Sequence, residues 1–304
     1  AISSNFRKPL KKYYRLLKIK TIKDIRTLEI DFPTIRLNDY QGINPASIVG
    51  SLLGHEGEGS LLSKLKEEGL VLGLNAGGGS SHPDINSFGI SVSLTPKGLK
   101  EYERILIIVF NYIQMIRDHG IEEYTFKENQ TMAQINFDWK NPSEGMGFVA
   151  SKASLLQDFK LEDVETLPFL LTEYDSDSYK AVLDTLIPEN AMVVLSHQNA
   201  ETNKVAPYYD AKYSFEKIGG KAFVKLKNTS KISGLFYQQK NDFIPYNLKL
   251  LDDEPHLIRQ DDLAKVWFKY DHRFKQPKIA LMFRIETPKV YRSPKNLELA
   301  KLYE

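Results

Sequence analysis

Residues 54–70 read GHEGEGSLLSKLKEEGL and begin with the pair His55-Glu56 after one glycine. A His-Glu pair opens the common zinc-protease motif, which needs a second His at i+4 so that both imidazoles face the metal from one side of a helix. Position 59 is Gly, and the inverted order H-x-x-E-H occurs at none of the six histidines. The stretch therefore predicts no zinc site, and it must serve another purpose.

Glycines in this stretch separate two predicted helices. The first helix runs over 45–53 and begins at Pro45, a residue that suits the first helical turn. The second helix runs over 61–69, directly after Ser60, and Gly69 closes it as a C-cap. The stretch is thus predicted to be a helix–loop–helix connection.

The flanking sequence alternates between strand and helix patterns. Period-two alternation predicts strands over 27–35, 70–75 and 86–94, a β-rich run lies at 191–196, and 76–84 is predicted as a loop. Helical spacing of apolar residues predicts further helices, namely 9–17, 95–118, 122–138, 147–157, 161–172 and 176–186. This order indicates an α+β fold with a layer of helices on one face of a sheet.

A change of composition predicts a second unit. Residues 200–247 are polar and rich in turn residues, as expected of a linker or loop. Beyond them, 266–270 and 278–285 are predicted strands. The residues from 246 to 304 are too few to close a core alone, so this second unit is expected to be truncated.

Composition excludes several classes of function. The absence of cysteine excludes disulfides and thiolate chemistry, although it does not fix the compartment. The net charge of +2 is too small to imply a nucleic-acid partner. No run of about eighteen apolar residues predicts a membrane span. Residues 1–26 hold nine Lys or Arg against one acid, and we interpret them as a solvated lead-in rather than an arm for RNA or membrane.

Five ordered stretches carry a resemblance to a known family. The stretch at 54–70 resembles the second domain of the insulin-degrading-enzyme (pitrilysin) family of zinc metalloproteases. Four more stretches fit in the same order, and they are IKDIRTLEIDFP at 22–33, LTPKGL with its following helix at 94–118, LIPEN at 186–190 and DDLAKVWFKYDHRFKQPKIALMF at 261–283. The resemblance implies an αβ domain with a mixed, mainly antiparallel sheet covered by helices.

The resemblance also implies a division of the chain and of its function. It assigns 1–217 to a non-catalytic second domain, 218–245 to a linker and 246–304 to the truncated start of the third domain. The family's zinc motif lies in its first domain, so no catalytic and no metal residues are expected here, while zinc is expected in the full-length parent. The alternative is a catalytically inactive homologue that acts as a peptide-binding or partner subunit.

An exosite is what the resemblance implies for the second domain. There the N-terminus of a peptide substrate is anchored beside an exposed strand, and the matching positions are Gly54, Glu56, Leu74, Asn75 and Ala76. Backbone hydrogen bonds from such a strand give sequence-tolerant affinity, and an acid holds the ammonium. Expected partners are therefore peptides and the missing first and fourth domains. Exposed strands also allow self-association, and no nucleic acid or membrane partner is expected.

Some positions depart from the family pattern. Two family histidines fall on Ser47 and Ser51, and a family glycine falls on Ala76, so anchoring is expected to be weaker or differently selective. The alternative interpretation is purely local. In that case the loop glycines end one helix and admit the next, while Glu56 or Ser60 caps free backbone N–H groups.

Overall fold

A seven-stranded sheet is the centre of the first of two units in the chain, Ala1–Ile244 and Pro245–Glu304. The computed structural model describes residues 13–82, 85–140, 145–245, 247–248, 255–262, 264–269 and 287–303. The strands of the first unit are β1 (Tyr13–Lys20), β2 (Arg26–Pro33), β3 (Val71–His82), β4 (Ile85–Leu94), β5 (Met192–His197), β6 (Lys204–Val205) and β7 (Lys212–Gly219). Its helices are α1 (Pro45–Leu53), α2 (Leu61–Glu67), α3 (Pro96–Lys100), α4 (Tyr102–His119), α5 (Glu123–Asp138), α6 (Gly145–Leu155), α7 (Ser176–Thr185) and α8 (Gly220–Lys227).

The strand order of this sheet is β3-β4-β2-β5-β1-β7-β6. The pair β1 and β5 is parallel, and the other five neighbouring pairs are antiparallel. The implied mixed, mainly antiparallel sheet with helices is therefore confirmed. Strand β3 lies at one edge, so among the described residues its backbone pairs with a strand, β4, on one side only.

One hydrophobic core joins the sheet to the helices. Leu28, Ile30 and Phe32 on β2 are buried, whereas the residues between them are only partly buried. Phe32 meets Phe110 of α4 edge to face, with ring centroids 6.1 Å apart. A fully buried side chain of this size stabilises the fold by about 1.5–3 kcal/mol. Because the buried residues alternate along the strands, the helices cover one face of the sheet, and the opposite face, which we call the open face, carries no helix from the described part of the chain.

The predicted helix over 9–17 is wrong where the structure describes it. Residues from Tyr13 onward form β1, an inner strand between β5 and β7. Tyr14 and Leu16 are buried on its core face. The apolar run fits the periodicity of a strand as well as that of a helix. Pairing with β5 on one side and β7 on the other therefore overrides its local preference for helix. Residues 9–12 lie outside the described part of the chain.

Three other boundaries also differ from prediction. The predicted loop over 76–84 instead continues β3 as far as His82, since backbone pairing with β4 needs no side chains. The single helix predicted over 95–118 is two helices, which meet at Glu101. Residues 161–169 form turns rather than a helix. The helices predicted over 45–53, 61–69, 122–138, 147–157 and 176–186 are confirmed to within a few residues.

The linker or loop predicted over 200–247 is wrong for 212–227. Strand β7 pairs with β1, and α8 follows it directly. Phe223 and Leu226 of α8 are buried in the core. The contacts of residues 218–244 therefore belong to the first unit.

The second unit contains a short hairpin and a helix. Strand β8 (His256–Gln260) pairs antiparallel with β9 (Lys265–Phe268), and α9 (Pro294–Tyr303) follows. The strand predicted over 266–270 is thus present as β9, whereas the one predicted over 278–285 lies outside the described residues. No helix in the ranges given above is long and apolar enough to cross a membrane.

Candidate functional site

A groove lies between α1, the loop after it and the edge strand β3. Its cavity volume is about 510 Å³. All five residues predicted as exosite positions line this one groove. The described residues that line it are Asn44, Ser47, Gly50, Ser51, Gly54, Glu56, Leu74, Asn75, Ala76, Gly77 and Gly78.

Small residues let α1 lie close along β3. A Cβ placed on Gly50 would lie 3.1 Å from the Ala76 carbonyl oxygen, and one on Gly54 would lie 3.7 Å from the Ala76 nitrogen. At the start of the helix, Ala46 lies close to Gly78 of β3: a Cβ placed on Gly78 would lie 2.7 Å from the Cβ of Ala46. Helix α1 therefore runs antiparallel to β3, and the loop that follows α1 lies toward the Leu74 end of the groove.

The outer edge of β3 is free of any strand in the described part of the chain. An unpaired edge presents backbone N–H and C=O groups that can pair with another extended chain. Side chains alternate along this strand. Leu74 and Ala76 face the helices, whereas Asn75 and Gly77 lie on the open face of the sheet. The groove thus combines an exposed strand edge with a helix wall.

Glu56 is the acidic residue of the groove. It is exposed, and its carboxylate forms no ion pair or hydrogen bond with any residue that the structure describes. Ser60, in contrast, caps α2, because its hydroxyl accepts a hydrogen bond of 3.1 Å from the Ser63 N–H. The capping role therefore belongs to Ser60, and Glu56 is left with a negative charge that faces solvent and the groove.

His55 does not build a metal site with Glu56. Its ring packs over the loop, so that a Cβ on Gly57 would lie 2.5 Å from its Nε2. Burial lowers the pKa of His55, against the opposing influence of Glu128 and Glu56. Among the described residues no group of three or more His, Asp or Glu could hold a metal ion. The side chains here therefore do not fit the donor set of a zinc site, which needs at least three protein ligands.

Part of the groove was not predicted. Asn44, Gly50, Gly77 and Gly78 line it but were not among the predicted positions. A signal for the helix wall was present in the sequence: small residues recur at 47, 50, 51 and 54, which is one face of a helix. That stripe indicates close approach of another backbone.

Comparisons with known sequences agree with this architecture. Residues 3–132 match the family model described as the peptidase M16 inactive domain, and residues 137–304 match the middle or third domain of peptidase M16. Insulin-degrading enzyme from Bos taurus is 36% identical over 298 residues, covering 95% of this chain. The A-factor-processing enzyme of Saccharomyces cerevisiae is 29% identical over 297 residues, again covering 95% of this chain. The chain spans 29% of the length of each relative.

A solved structure has a similar fold. The crystal structure of pitrilysin superposes with a TM-score of 0.78 over 86% of this chain and 29% of that chain, at 22% sequence identity. The two family models together account for nearly all residues, and the bovine relative is 36% identical over 95% of this chain. The chain belongs to the peptidase M16 family, that of insulin-degrading enzyme and pitrilysin, and it matches the inactive domain and the middle or third domain of that family.

Proposed function

We propose that this chain is the substrate-anchoring, non-catalytic part of an insulinase-like zinc metalloendopeptidase. It forms part of the wall of a peptide chamber, and its groove is an exosite for the amino end of a peptide. Zinc and the hydrolytic residues are supplied by other domains of the longer protein. A peptide lies against β3 as an additional strand, and its ammonium is held by Glu56.

The observation that carries this proposal is the joint position of two features in one groove. The edge of β3 offers backbone hydrogen bonds, which do not depend on the sequence of the guest. Glu56 lines the same cavity, and its carboxylate forms no hydrogen bond or ion pair with any described residue. The amino end of a peptide satisfies both requirements, because the terminal residue joins an extended backbone to a main-chain ammonium.

Residues at the wall also support a peptide rather than a bulky ligand. Ser47 and Ser51 project small polar groups from α1, and Gly54 adds no side chain. The Ser51 hydroxyl is already engaged, since it donates to the Ile48 carbonyl at 2.8 Å and accepts from Asn129 at 3.1 Å. This wall leaves space for an extended backbone and makes few demands on its side chains.

Peptide pairs that differ only at the amino terminus test the proposal. For a labelled eight-residue peptide, N-acetylation is expected to weaken binding to the native chain about fivefold to tenfold, because the amine–carboxylate contact is lost. In Glu56→Gln, the free and acetylated peptides should bind with equal, weaker affinity. Fluorescence anisotropy measures each Kd.

A matched control is available in the same loop. Glu58 is also exposed but lies outside the groove lining, so Glu58→Gln removes the same charge without touching the site. This variant should keep the full difference between free and acetylated peptides. Equal loss of both peptides in Glu56→Gln, or the same loss in Glu58→Gln, would show that Glu56 does not hold the amine.

A further inference from the structure

A second cavity lies on the open face of the sheet, on the other side of β3 from the groove. Its volume is about 360 Å³. The two cavities share Asn75, Ala76 and Gly77, so β3 is the wall between them. We call this second cavity the trough, and its polar and glycine lining consists of Glu29, Asp31, Asn75, Gly77, Gly89 and Ser91.

Strand register aligns one row of the trough. Gly77 of β3 is opposite Gly89 of β4, which in turn is opposite Asp31 of β2. A Cβ on Gly77 would meet nothing within 4 Å, whereas one on Gly89 would lie 2.9 Å from Asp31 Oδ1. The Asp31 carboxylate therefore lies over β4, on the side toward β3. Gly89 and Gly77 have no side chains, so the space between this carboxylate and the free edge of β3 is open, and we call this space the glycine lane.

The length of this lane matches a long basic side chain. Neighbouring strands lie about 4.8 Å apart, so a guest strand on β3 would have its backbone about 10 Å from a carboxylate placed over β4. An extended arginine or lysine side chain and one hydrogen bond together span that distance. In a paired strand, the guest residue opposite Gly77 has its side chain on the same face as Gly77, which is the open face.

The negative charge of the trough is not compensated within the described part of the chain. Glu29 and Asp31 lie two residues apart on the same face of β2, and neither forms an ion pair with a described residue. Burial, and then the nearby Glu29, raise the pKa of Asp31. Across the sheet from Asp31, the strand register places Met192 of β5 next and then Arg15 of β1. Arg15 is thus the nearest cation in this row of the open face, two strands away from Asp31. A cation from a guest would offset this repulsion.

We propose that the exosite selects extended peptides that carry an arginine or lysine opposite Gly77, whose cation lies along the glycine lane and pairs with Asp31 and Glu29. This inference rests on the proposed function, since it needs a guest strand on the edge of β3. Side chains of the guest then alternate between two environments. One set faces the serine wall of the groove, and the other set faces the acidic trough.

An arginine scan tests the selection. Arginine, or its neutral isostere citrulline, is placed singly at positions 2 to 6 of an eight-residue peptide of small residues with a free amine, and each Kd is measured by anisotropy. Arginine should bind about fivefold tighter than citrulline at one position, with little difference at the positions beside it, because an exposed or partly buried ion pair contributes up to about 1 kcal/mol.

Variants assign the preference to the trough. In Asp31→Asn, which keeps Glu29, the preference for arginine should be largely lost, while the effect of N-acetylation remains. Gly77→Val should also remove the preference by filling the space between the free edge and Asp31, at a position where an added Cβ meets nothing within 4 Å. The matched control is Glu103→Gln, which removes an exposed carboxylate from α4 on the helix-covered side of the sheet. This control should keep the preference.

The outcomes separate this inference from the proposed function. Equal binding of arginine and citrulline peptides at every position, with the N-acetylation effect intact, overturns the trough and leaves the exosite. A preference that survives both Asp31→Asn and Gly77→Val also overturns it. No binding of any peptide, free or acetylated, overturns both.

Discussion

Replacing Gly98 with alanine is expected to lower the free energy of unfolding by about 3 kcal/mol, the upper end of the usual cost of overpacking. Gly98 is buried in α3, where its N–H donates to Thr95 Oγ1 at 2.9 Å. A Cβ at this position would lie 1.8 Å from the Leu70 carbonyl oxygen and 2.8 Å from its carbon. The neighbour is backbone, so no rotation of a side chain can relieve the clash.

The Leu70 carbonyl is also fixed by its own hydrogen bonds. It accepts one of 3.1 Å from the Thr95 N–H and one of 3.2 Å from the Thr95 hydroxyl. Moving it would loosen the start of β3 and the cap of α3 together. The substitution is therefore expected to destabilise β3, which lines the groove, together with α3.

Urea unfolding followed by circular dichroism measures this effect. The matched control is Gly147→Ala in α6, where an added Cβ meets nothing within 4 Å and alanine is the better helix former by about 0.5–1 kcal/mol. We expect a lower midpoint for Gly98→Ala and an unchanged or higher one for Gly147→Ala. Equal midpoints for the two variants would mean that the α3–β3 contact relaxes freely.

Replacing Ser47 with tryptophan is expected to weaken peptide binding more than tenfold. Ser47 is exposed on α1 and lines the groove, so an indole there would occupy the space that a guest strand needs. Serine and tryptophan have similar helix propensities, so the fold should tolerate the change. The loss would therefore come from steric exclusion of the peptide, not from unfolding.

Anisotropy titration with the free-amine peptide, alongside the thermal midpoint, measures this second effect. Ser154→Trp is the matched control, since Ser154 is exposed on α6 and does not line the groove. We expect Ser154→Trp to bind peptide as the native chain does. Undiminished affinity in Ser47→Trp would place the peptide elsewhere on the molecule.

The helix–loop–helix around 54–70 could be predicted because its signals are local. Pro45 at the start of α1, Ser60 before α2 and Gly69 after it each act on their own turn of helix. The α+β class followed from the order of the patterns. Strand β1 could not be predicted in the same way, because its identity depends on pairing with β5 and β7, which lie far along the sequence.

The candidate site also has a part that could be predicted from local sequence and a part that could not. The five predicted groove residues came from resemblance of one short segment and one strand, and both line the cavity. The trough was not predicted, because Gly77, Gly89 and Asp31 come together only through the register of three strands. Neither glycine nor the aspartate carries a signal of its own, so such a site is visible only once the strand order is known.

A crystal structure of the chain with a free-amine peptide tests the central claim most directly. We predict the peptide as an added strand, hydrogen-bonded to the edge of β3 between Leu74 and Gly78, with its ammonium within hydrogen-bond distance of the Glu56 carboxylate. A peptide paired instead with β6 at the opposite edge, or bound with its amine remote from Glu56, would contradict the claim.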